Sequence, residues 1–417
     1  MKLRLKLLLM FFCFVLISQA FAETLPGTVP EAVGLSSERL SLIGTKLEAD
    51  ISAGKIPGAV VLVARKGKIA YFEVFGMQDK EAGIPLKKDS LFRIYSMTKP
   101  FASVAAMMLF EEGKLLLSDP VSNYIPAFQD VQVGVIEKDA EGKETVTTRK
   151  PTTAMTVFHL LTHTSGLNYW FYPPKAIQNM YMEAGLNKPS QMTVEEMSDK
   201  LAALPLLSDP GTQYRYSHSY DVLSRVVEVA SGMPMNQFLQ ERIFDPLKMK
   251  DTGYHASEAD LERLAYLTPK NPLYLDFTKP AKLFGGGSGT LSTADDYARF
   301  AQMLLNGGQL EGIRYLGPKT VAYMSSDQLG SLGNRTDRLY VPGVGYGGGF
   351  GFYVRVDAGR SPFIGSVGEF YKGGYAGTCF WVDPEEKVMA VFMVSAPAHR
   401  VYYRHLIKTM IYQAIVD

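Results

Sequence analysis

A serine and a lysine three residues apart are the first side chains in this sequence that could do chemistry together. Ser96 and Lys99 precede Pro100 and a run rich in Ala, Met and Leu, from Ser103 to Phe110, which favours helix. Proline fits the first turn of a helix. The spacing therefore predicts Ser96 at a helix N-terminus, with Lys99 on the same face. A serine hydroxyl becomes a nucleophile when a base removes its proton, and a lysine can be that base if burial or a second cation lowers its pKa.

A tyrosine in a turn is the second candidate. Tyr216 and His218 belong to a short stretch that follows the turn Asp209–Thr212 and precedes an amphipathic segment, Tyr220–Ala230. Tyr216 is therefore expected in a turn just before a helix, where functional residues are often held by rigid elements. A packing role is the alternative interpretation of a tyrosine at this position.

A third stretch precedes the last predicted hairpin and reads Lys372-Gly373-Gly374-Tyr375. Glycines at the start of a strand allow a ligand to approach the backbone closely. A backbone N–H from this stretch, together with that of Ser96, would form an oxyanion hole. Lys372 adds a second cation to the same site.

Ser-x-x-Lys, Tyr-Ser-His and Lys-Gly-Gly, in this order, resemble the motifs of the serine β-lactamase and penicillin-binding protein superfamily. The likeness is closest to class C β-lactamases and the related bacterial carboxylesterases. It extends from about Leu35 to the C-terminus. Three further stretches resemble the family: Leu160–Leu167, Gly285–Gly287 and Phe380–Pro384.

The resemblance implies two sets of site residues. The catalytic set comprises Ser96 as nucleophile, with Lys99 and Tyr216 transferring its proton. The substrate-binding set comprises His218, Lys372, Gly373, Gly374 and Tyr375, the last of which would supply the second oxyanion N–H. No cofactor and no metal are implied. Two nearby lysines are expected to lower the pKa of Tyr216, since opposite charge favours the phenolate.

Two departures from the family motifs leave the substrate open. His218 stands where class C enzymes have Asn, so that a contact to a substrate amide would be lost, and Gly373 stands where they have Thr. The related esterases often carry Trp or His at the position of Lys372, whereas a lysine would preserve recognition of a substrate carboxylate. Three functions remain: a hydrolase of small esters, a β-lactamase or D-amino-acid peptidase, and a non-catalytic binder of cell-wall peptides. Whether Lys99 or Tyr216 is the base also stays open.

Strand-like runs occur at both ends of the chain. Ala59–Arg65 and Lys68–Phe75 are rich in β-branched and aromatic residues around a Lys-Gly turn, which predicts a hairpin. Phe350–Val356 and a second hairpin follow near the C-terminus, and Val401–Ile415 is predicted as a closing helix. We therefore expect an α+β, β-lactamase-like fold: an antiparallel sheet flanked by helices, built from both chain termini, with an inserted mainly helical lobe.

The expected domain organisation is a signal peptide over residues 1–22 and a single hydrolase domain over 23–417. Within it, the sheet lobe would span about 23–90 plus 290–417, and the helical lobe about 91–289. Three basic residues precede an apolar run from Leu7 to Ile17, and Ala20–Ala22 offers a cleavage site. The alternative, a membrane anchor, would need a longer run. We therefore expect cleavage after Ala22, a periplasmic or secreted protein and no transmembrane anchor after cleavage. Only Cys379 of the two cysteines would then remain, so no intramolecular disulfide is expected.

Composition and motifs exclude several function classes. The 417 residues carry a formal net charge of +1 and no basic run, which argues against nucleic-acid binding. Gly285–Gly287 lacks the Gly-Lys-Ser/Thr ending of a phosphate-binding loop, and no Gly-x-Ser-x-Gly elbow occurs. His159 and His163 are four residues apart without a clear third ligand, so capping or buried histidines are favoured over a metal site. The expected partner is a small-molecule ester, lactam or peptide; the sequence does not specify the oligomeric state.

One aromatic segment has two interpretations. Residues Trp170–Lys188 carry a tryptophan, several aromatic residues and two consecutive prolines. The segment is either a wall or lid of a substrate pocket, or a loop packed on the core.

Overall fold

The computed structural model describes residues 25–267, 270–271, 273–333 and 342–417. The predicted signal peptide lies outside these residues. The described α-helices are α1 Ser37–Ser52, α2 Lys99–Glu111, α3 Val157–Leu161, α4 Lys175–Glu183, α5 Val194–Ala202, α6 Ser219–Ser231, α7 Met235–Leu239, α8 Ala294–Leu305, α9 Pro318–Met324 and α10 Arg400–Tyr412. The described strands are β1 Gly58–Arg65, β2 Lys68–Asp79, β3 Ile84–Pro85, β4 Phe92–Arg93, β5 Val133–Lys138, β6 Glu144–Arg149, β7 Leu291–Ser292, β8 Gln309–Leu310, β9 Ile313–Arg314, β10 Tyr346–Gly348, β11 Tyr353–Arg355, β12 Phe370–Gly373, β13 Gly377–Asp383 and β14 Val388–Ser395.

One antiparallel sheet joins the two ends of the chain. Within the described residues it has eight strands in the order β10-β11-β12-β13-β14-β1-β2-β3. β1 pairs with β2 through the predicted Lys-Gly turn, and on its other side with β14, with Ala59 opposite Val394. The expected α+β sheet built from both termini is confirmed.

Successive side chains of the central strands point to opposite faces of the sheet, and both faces are buried. In β1, Val60 and Leu62 enter the larger hydrophobic core, whereas Val61 and Val63 enter a second core on the opposite face. Helices α1 and α10 cover this second core, and α8 packs on β13 and β14 from the other side. The sheet is therefore a rigid layer, and a rigid layer can position side chains for chemistry.

A mainly helical section lies between β4 and β7. These two short strands pair with each other, with Phe92 opposite Ser292, and so bring the start and the end of the section together. The section includes α2 to α7 and the β5–β6 hairpin. The numerical lobe boundaries given above stay a prediction.

The strand predicted over Phe350–Val356 is shorter than expected. β11 covers only Tyr353–Arg355, because Gly351 adopts a left-handed φ of 83° and turns the chain toward α2. A Cβ at Gly351 would lie 2.6 Å from the Ser103 hydroxyl. The glycine thus permits close packing against the helix that begins at Lys99. None of the helices in the described ranges has the length and apolarity needed to cross a membrane.

Candidate active site

Ser96 lies in a tight turn that leads directly into a buried helix. The 3₁₀ turn covers Tyr95–Thr98, and α2 begins at Lys99. Tyr95 adopts a left-handed φ of 46°, which is rare for a bulky residue. The Thr98 hydroxyl donates to the Tyr95 carbonyl at 2.7 Å and closes the turn. Ser96 is half-buried in this turn. Its position directly before the helix agrees with the prediction.

The Lys99 side chain is fully buried beneath the turn. Its Nζ donates to the Gly287 carbonyl at 2.6 Å and to the Tyr169 hydroxyl at 3.2 Å. Burial lowers the pKa of Lys99 to about 7, although the negative charge of Asp221 acts in the opposite direction. A large fraction of this amine is therefore neutral at neutral pH and can accept a proton.

Tyr216 lies between two lysines. The Nζ atoms of Lys99 and Lys372 are 4.6 and 4.7 Å from the centroid of its ring. Its hydroxyl hydrogen-bonds with the side chains of Ser96 and Tyr353. The structure thus brings together all three residues of the predicted catalytic set and Lys372.

The expectation that the lysines lower the pKa of Tyr216 was wrong. Burial raises the pKa of Tyr216 well above its usual value and outweighs the hydrogen bonds to Ser96 and Tyr353, which act in the opposite direction. Burial also lowers the pKa of Lys372 well below its usual value, and the nearby charges of Lys99 and Arg404 lower it further. The lysines therefore carry less charge than the sequence implies, and Tyr216 remains a neutral phenol at neutral pH.

The glycines of the third motif bring the end of β12 against the Ser96 turn. A Cβ on Gly374 would overlap the carbonyl oxygen of Ile94, two residues before Ser96. The Gly374 N–H donates to the Thr378 carbonyl at 2.8 Å. Tyr375 begins the next turn, and its N–H has no backbone acceptor among the described residues. The backbone at 374 and 375 therefore lies beside the nucleophile turn, as an oxyanion hole requires.

His218 is linked to the surroundings of Lys99. Its Nδ1 lies 2.8 Å from Asp221 Oδ2, and its ring packs edge-on against Tyr169 at 4.3 Å between centroids. Asp221 Oδ1 accepts the Gly287 N–H at 3.2 Å, and the Gly287 carbonyl holds Lys99. A contact of His218 with substrate stays a prediction.

Sequence reasoning missed Tyr169 and Asp221. Asp221 stands three residues after His218, which places the two on one face of a helix, and this spacing could have indicated Asp221. For Tyr169 the signal was weaker, because it only borders the aromatic segment that begins at Trp170.

The aromatic segment itself has two parts. Phe171 and Tyr172 pack in the cluster that holds Tyr216, whereas α4 buries its apolar face in the core.

The two histidines considered as metal ligands, His159 and His163, have structural roles. His159 Nδ1 accepts the Thr156 N–H at 3.2 Å and completes a capping box at the start of α3. His163 Nδ1 accepts the Ser217 N–H at 3.2 Å, and its ring lies 4.5 Å from that of Tyr216. The interpretation as capping and buried histidines is confirmed. In the part of the chain that the structure describes, no group of three potential ligands is placed to hold a metal ion.

The glycine run has a packing role. A Cβ at Gly287 would lie 2.6 Å from an Asp221 oxygen, and one at Gly286 would lie 2.6 Å from the Ser224 hydroxyl. These glycines let the backbone that binds Lys99 approach α6.

Comparison with known proteins identifies the family. A sequence model of the Beta-lactamase family matches residues 44–407. The chain belongs to the β-lactamase family. Within it, the chain is 36% identical over 355 residues to Protein Rv1367c of Mycobacterium tuberculosis, covering 82% of this chain and 86% of that protein. It is 30% identical over 356 residues to Esterase EstB of Burkholderia gladioli, covering 79% of this chain and 83% of the esterase.

Solved structures of the β-lactamase-like fold resemble this one along most of the chain. One is EstCE1, a hydrolase with promiscuous acyltransferase activity, with a TM-score of 0.73 and 26% identity over 90% of this chain and 99% of that one. The expected β-lactamase-like fold is confirmed. Because relatives in the family are named esterases and acyltransferases, the protein is an enzyme, a serine hydrolase of the β-lactamase family.

Proposed function

We propose that the protein hydrolyses small esters through an acyl-enzyme on Ser96. The observation that carries the proposal is the buried contact of Lys99 and Tyr216 beside Ser96, with Lys99 at a pKa of about 7. The N–H groups of Ser96 and Tyr375 would stabilise the oxyanion, and water would release the acid. This assignment of roles rests on geometry and on the family motifs.

The surroundings of Lys99 favour it as the base. A neutral amine keeps two N–H bonds, and the Gly287 carbonyl and the Tyr169 hydroxyl can accept both. Its lone pair then remains available for the Ser96 proton. Tyr216, with a raised pKa, would relay this proton as a neutral phenol and pass it to the leaving alcohol.

Three features favour an ester over a lactam or D-peptide. Gly373 has no hydroxyl to offer a substrate, and His218 is tied to Asp221 at 2.8 Å. Nζ of Lys372 lies 3.9 Å from the centroid of the Tyr353 ring, so it faces an aromatic surface. The named esterases among the relatives support the same choice. A β-lactamase or D-amino-acid peptidase activity is the competing outcome of the test.

The test compares a p-nitrophenyl butyrate assay with a chromogenic cephalosporin assay on the mature protein. We expect fast ester cleavage, slow lactam cleavage and a loss of at least about a thousandfold in Ser96→Ala. The fold should remain intact, because Ser96 is small and half-buried. Intact-mass spectrometry with a slow ester should detect an adduct on wild type alone. Unchanged ester hydrolysis in Ser96→Ala would overturn the mechanism, and efficient lactam cleavage would overturn the substrate class.

We also propose that the chain is exported to the periplasm or secreted, with cleavage after Ala22. The basic start, the apolar run and the small residues of the cleavage site support this proposal. Mass spectrometry of the protein recovered from the extracytoplasmic fraction should show a mature start at Glu23. Retention of residues 1–22 on a cytoplasmic protein would contradict it.

A further inference from the structure

A small cavity lies between the helical section and the sheet, next to the catalytic residues. His163 borders it from the helical section, and Lys372 of β12 and Tyr353 of β11 border it from the sheet. Gly348, Gly349 and Gly351 line it as well and, having no side chains, present their peptide groups to it. The cavity has room for about one water molecule, and its lining is polar enough to bind one.

The hydrogen bond between His163 and Ser217 fixes the state of the imidazole. Nδ1 accepts the Ser217 N–H at 3.2 Å, so this nitrogen carries a lone pair and no hydrogen. The hydrogen of the neutral ring is then on Nε2. Burial lowers the pKa of His163 well below its usual value, and the nearby charges of Lys99 and Lys372 lower it further, so the ring stays neutral.

The Nε2–H of His163 is therefore a buried donor. The residue is 5% exposed, and Nε2 has no hydrogen-bond partner among the described residues. The ring packs against those of Tyr216 and Tyr220, with 4.5 and 4.9 Å between centroids, so the cavity is the remaining place for an acceptor. A buried donor that makes no hydrogen bond is destabilising, and a water in the cavity would remove this cost.

The amine of Lys372 has the same need. Its Nζ lies over the rings of Tyr353 and Tyr216, and it makes no hydrogen bond within the described ranges. The charged groups that act on it are Lys99 and Arg404, both cations, so no carboxylate holds it in place. The ring faces attract the amine but give it no directed hydrogen bond.

We propose that one water molecule in this cavity bridges His163 Nε2 and Lys372 Nζ. The water accepts the His163 N–H and hydrogen-bonds to the amine, donating to its lone pair or accepting from its N–H according to the charge of the lysine. His163 is then a positioning residue, because through the water it holds Lys372 against the Tyr216 ring. The inference rests on the proposed esterase function, in which Tyr216 relays the Ser96 proton.

Two amide substitutions separate this role from the contact with Ser217. Asparagine tolerates the left-handed φ of 56° at position 163, and its Oδ1 can replace Nδ1 as acceptor, so His163→Asn removes only the Nε2 donor. Glutamine can bring an amide N–H close to the position of Nε2, but it loses the Ser217 contact. On p-nitrophenyl butyrate we expect His163→Asn to lower kcat about fivefold without changing KM or much of Tm. His163→Gln should recover part of kcat in spite of a lower Tm; a kcat below that of His163→Asn would overturn the inference.

A double-mutant cycle tests whether His163 acts through Lys372. Lys372→Met removes the amine, so in this background His163→Asn should lower kcat by less than about twofold more. Losses that multiply in the double variant would show that His163 acts independently of Lys372, and would overturn the inference. The control is His159→Asn, the same change in a half-buried histidine whose Nδ1 accepts the Thr156 N–H. It should leave kcat and KM unchanged.

A crystal structure of the wild-type protein gives a measurement that does not depend on the folding of variants. We expect a water within about 3.2 Å of both His163 Nε2 and Lys372 Nζ. Density without a water between these two nitrogens would overturn the inference. Failure of the wild type to cleave p-nitrophenyl butyrate through Ser96 would overturn the proposed function alone, since the crystallographic water would still decide the bridge.

Discussion

Nζ of Lys372 lies 3.9 Å from the centroid of the Tyr353 ring. It is also 4.7 Å from the Tyr216 ring, so the lysine contacts the two tyrosines whose hydroxyls are hydrogen-bonded to each other. Burial and the neighbouring cations lower its pKa well below the usual value. Lys372 is therefore placed to act on Tyr216, and its contact with a substrate carboxylate stays a prediction.

Replacement of Lys372 by methionine tests this role. Lys372→Met keeps most of the apolar stem and removes the amine, so we expect kcat/KM to fall by roughly tenfold on neutral and carboxylate-bearing esters alike. Parallel rate measurements on a neutral p-nitrophenyl ester and on a carboxylate-bearing p-nitrophenyl ester, with circular dichroism as the folding control, would check it. A selective loss on the charged esters would show instead that Lys372 binds the carboxylate.

The pH dependence of ester hydrolysis should reflect Lys99. Only the neutral amine can take the Ser96 proton, so kcat/KM on a neutral ester should rise through about pH 7 and level off above it. Asp221 raises the pKa of Lys99, and Asp221→Asn should therefore move the midpoint to lower pH. Asp276→Asn, which changes a partly exposed carboxylate elsewhere, should leave the midpoint unchanged. An unchanged midpoint in Asp221→Asn would show that Asp221 does not influence the pKa of the base.

The contact between Gly373 and Arg404 predicts a rescue. Gly373→Thr introduces atoms where the guanidinium of Arg404 lies, so we expect a loss of ester activity and a lower Tm. In the background of Arg404→Ala the threonine has room, and the double variant should be more stable than Gly373→Thr alone. A double-mutant cycle on Tm measures the coupling. Additive changes in Tm would show that the side chains at positions 373 and 404 do not compete for the same space.

A buried ionic cluster joins α10 to β12 and predicts a large stability effect. Glu369 pairs with Lys408 and accepts from the Tyr412 hydroxyl at 2.8 Å, and all three side chains are buried. Glu369→Ala leaves the Lys408 charge without a partner and should cost about 3–5 kcal/mol. Urea unfolding would measure it. The double variant Glu369→Leu, Lys408→Met should recover part of the loss; equal destabilisation in both would argue against an uncompensated charge.

Much of the fold follows from local pattern. The alternation in β1 and β14, the Lys-Gly turn and the Pro100 helix start each depend on residues close in the chain, so these elements lie where the sequence places them. The predicted length of β11 was wrong because the backbone at Gly351 is set by packing against Ser103, which is distant in sequence.

The sequence by itself determined which groups could react: Ser96, Lys99, Tyr216 and the glycines of the third motif, in an order that indicates the family. Only the tertiary structure decided their state. Burial lowers the pKa of Lys99 and raises that of Tyr216, Asp221 joins His218 to the surroundings of Lys99, and Arg404 fills the space above Gly373. The reason is physical, because desolvation and charge depend on neighbours that are close in space but distant in the chain. Lys99, which lowers the pKa of Lys372, stands 273 positions before it.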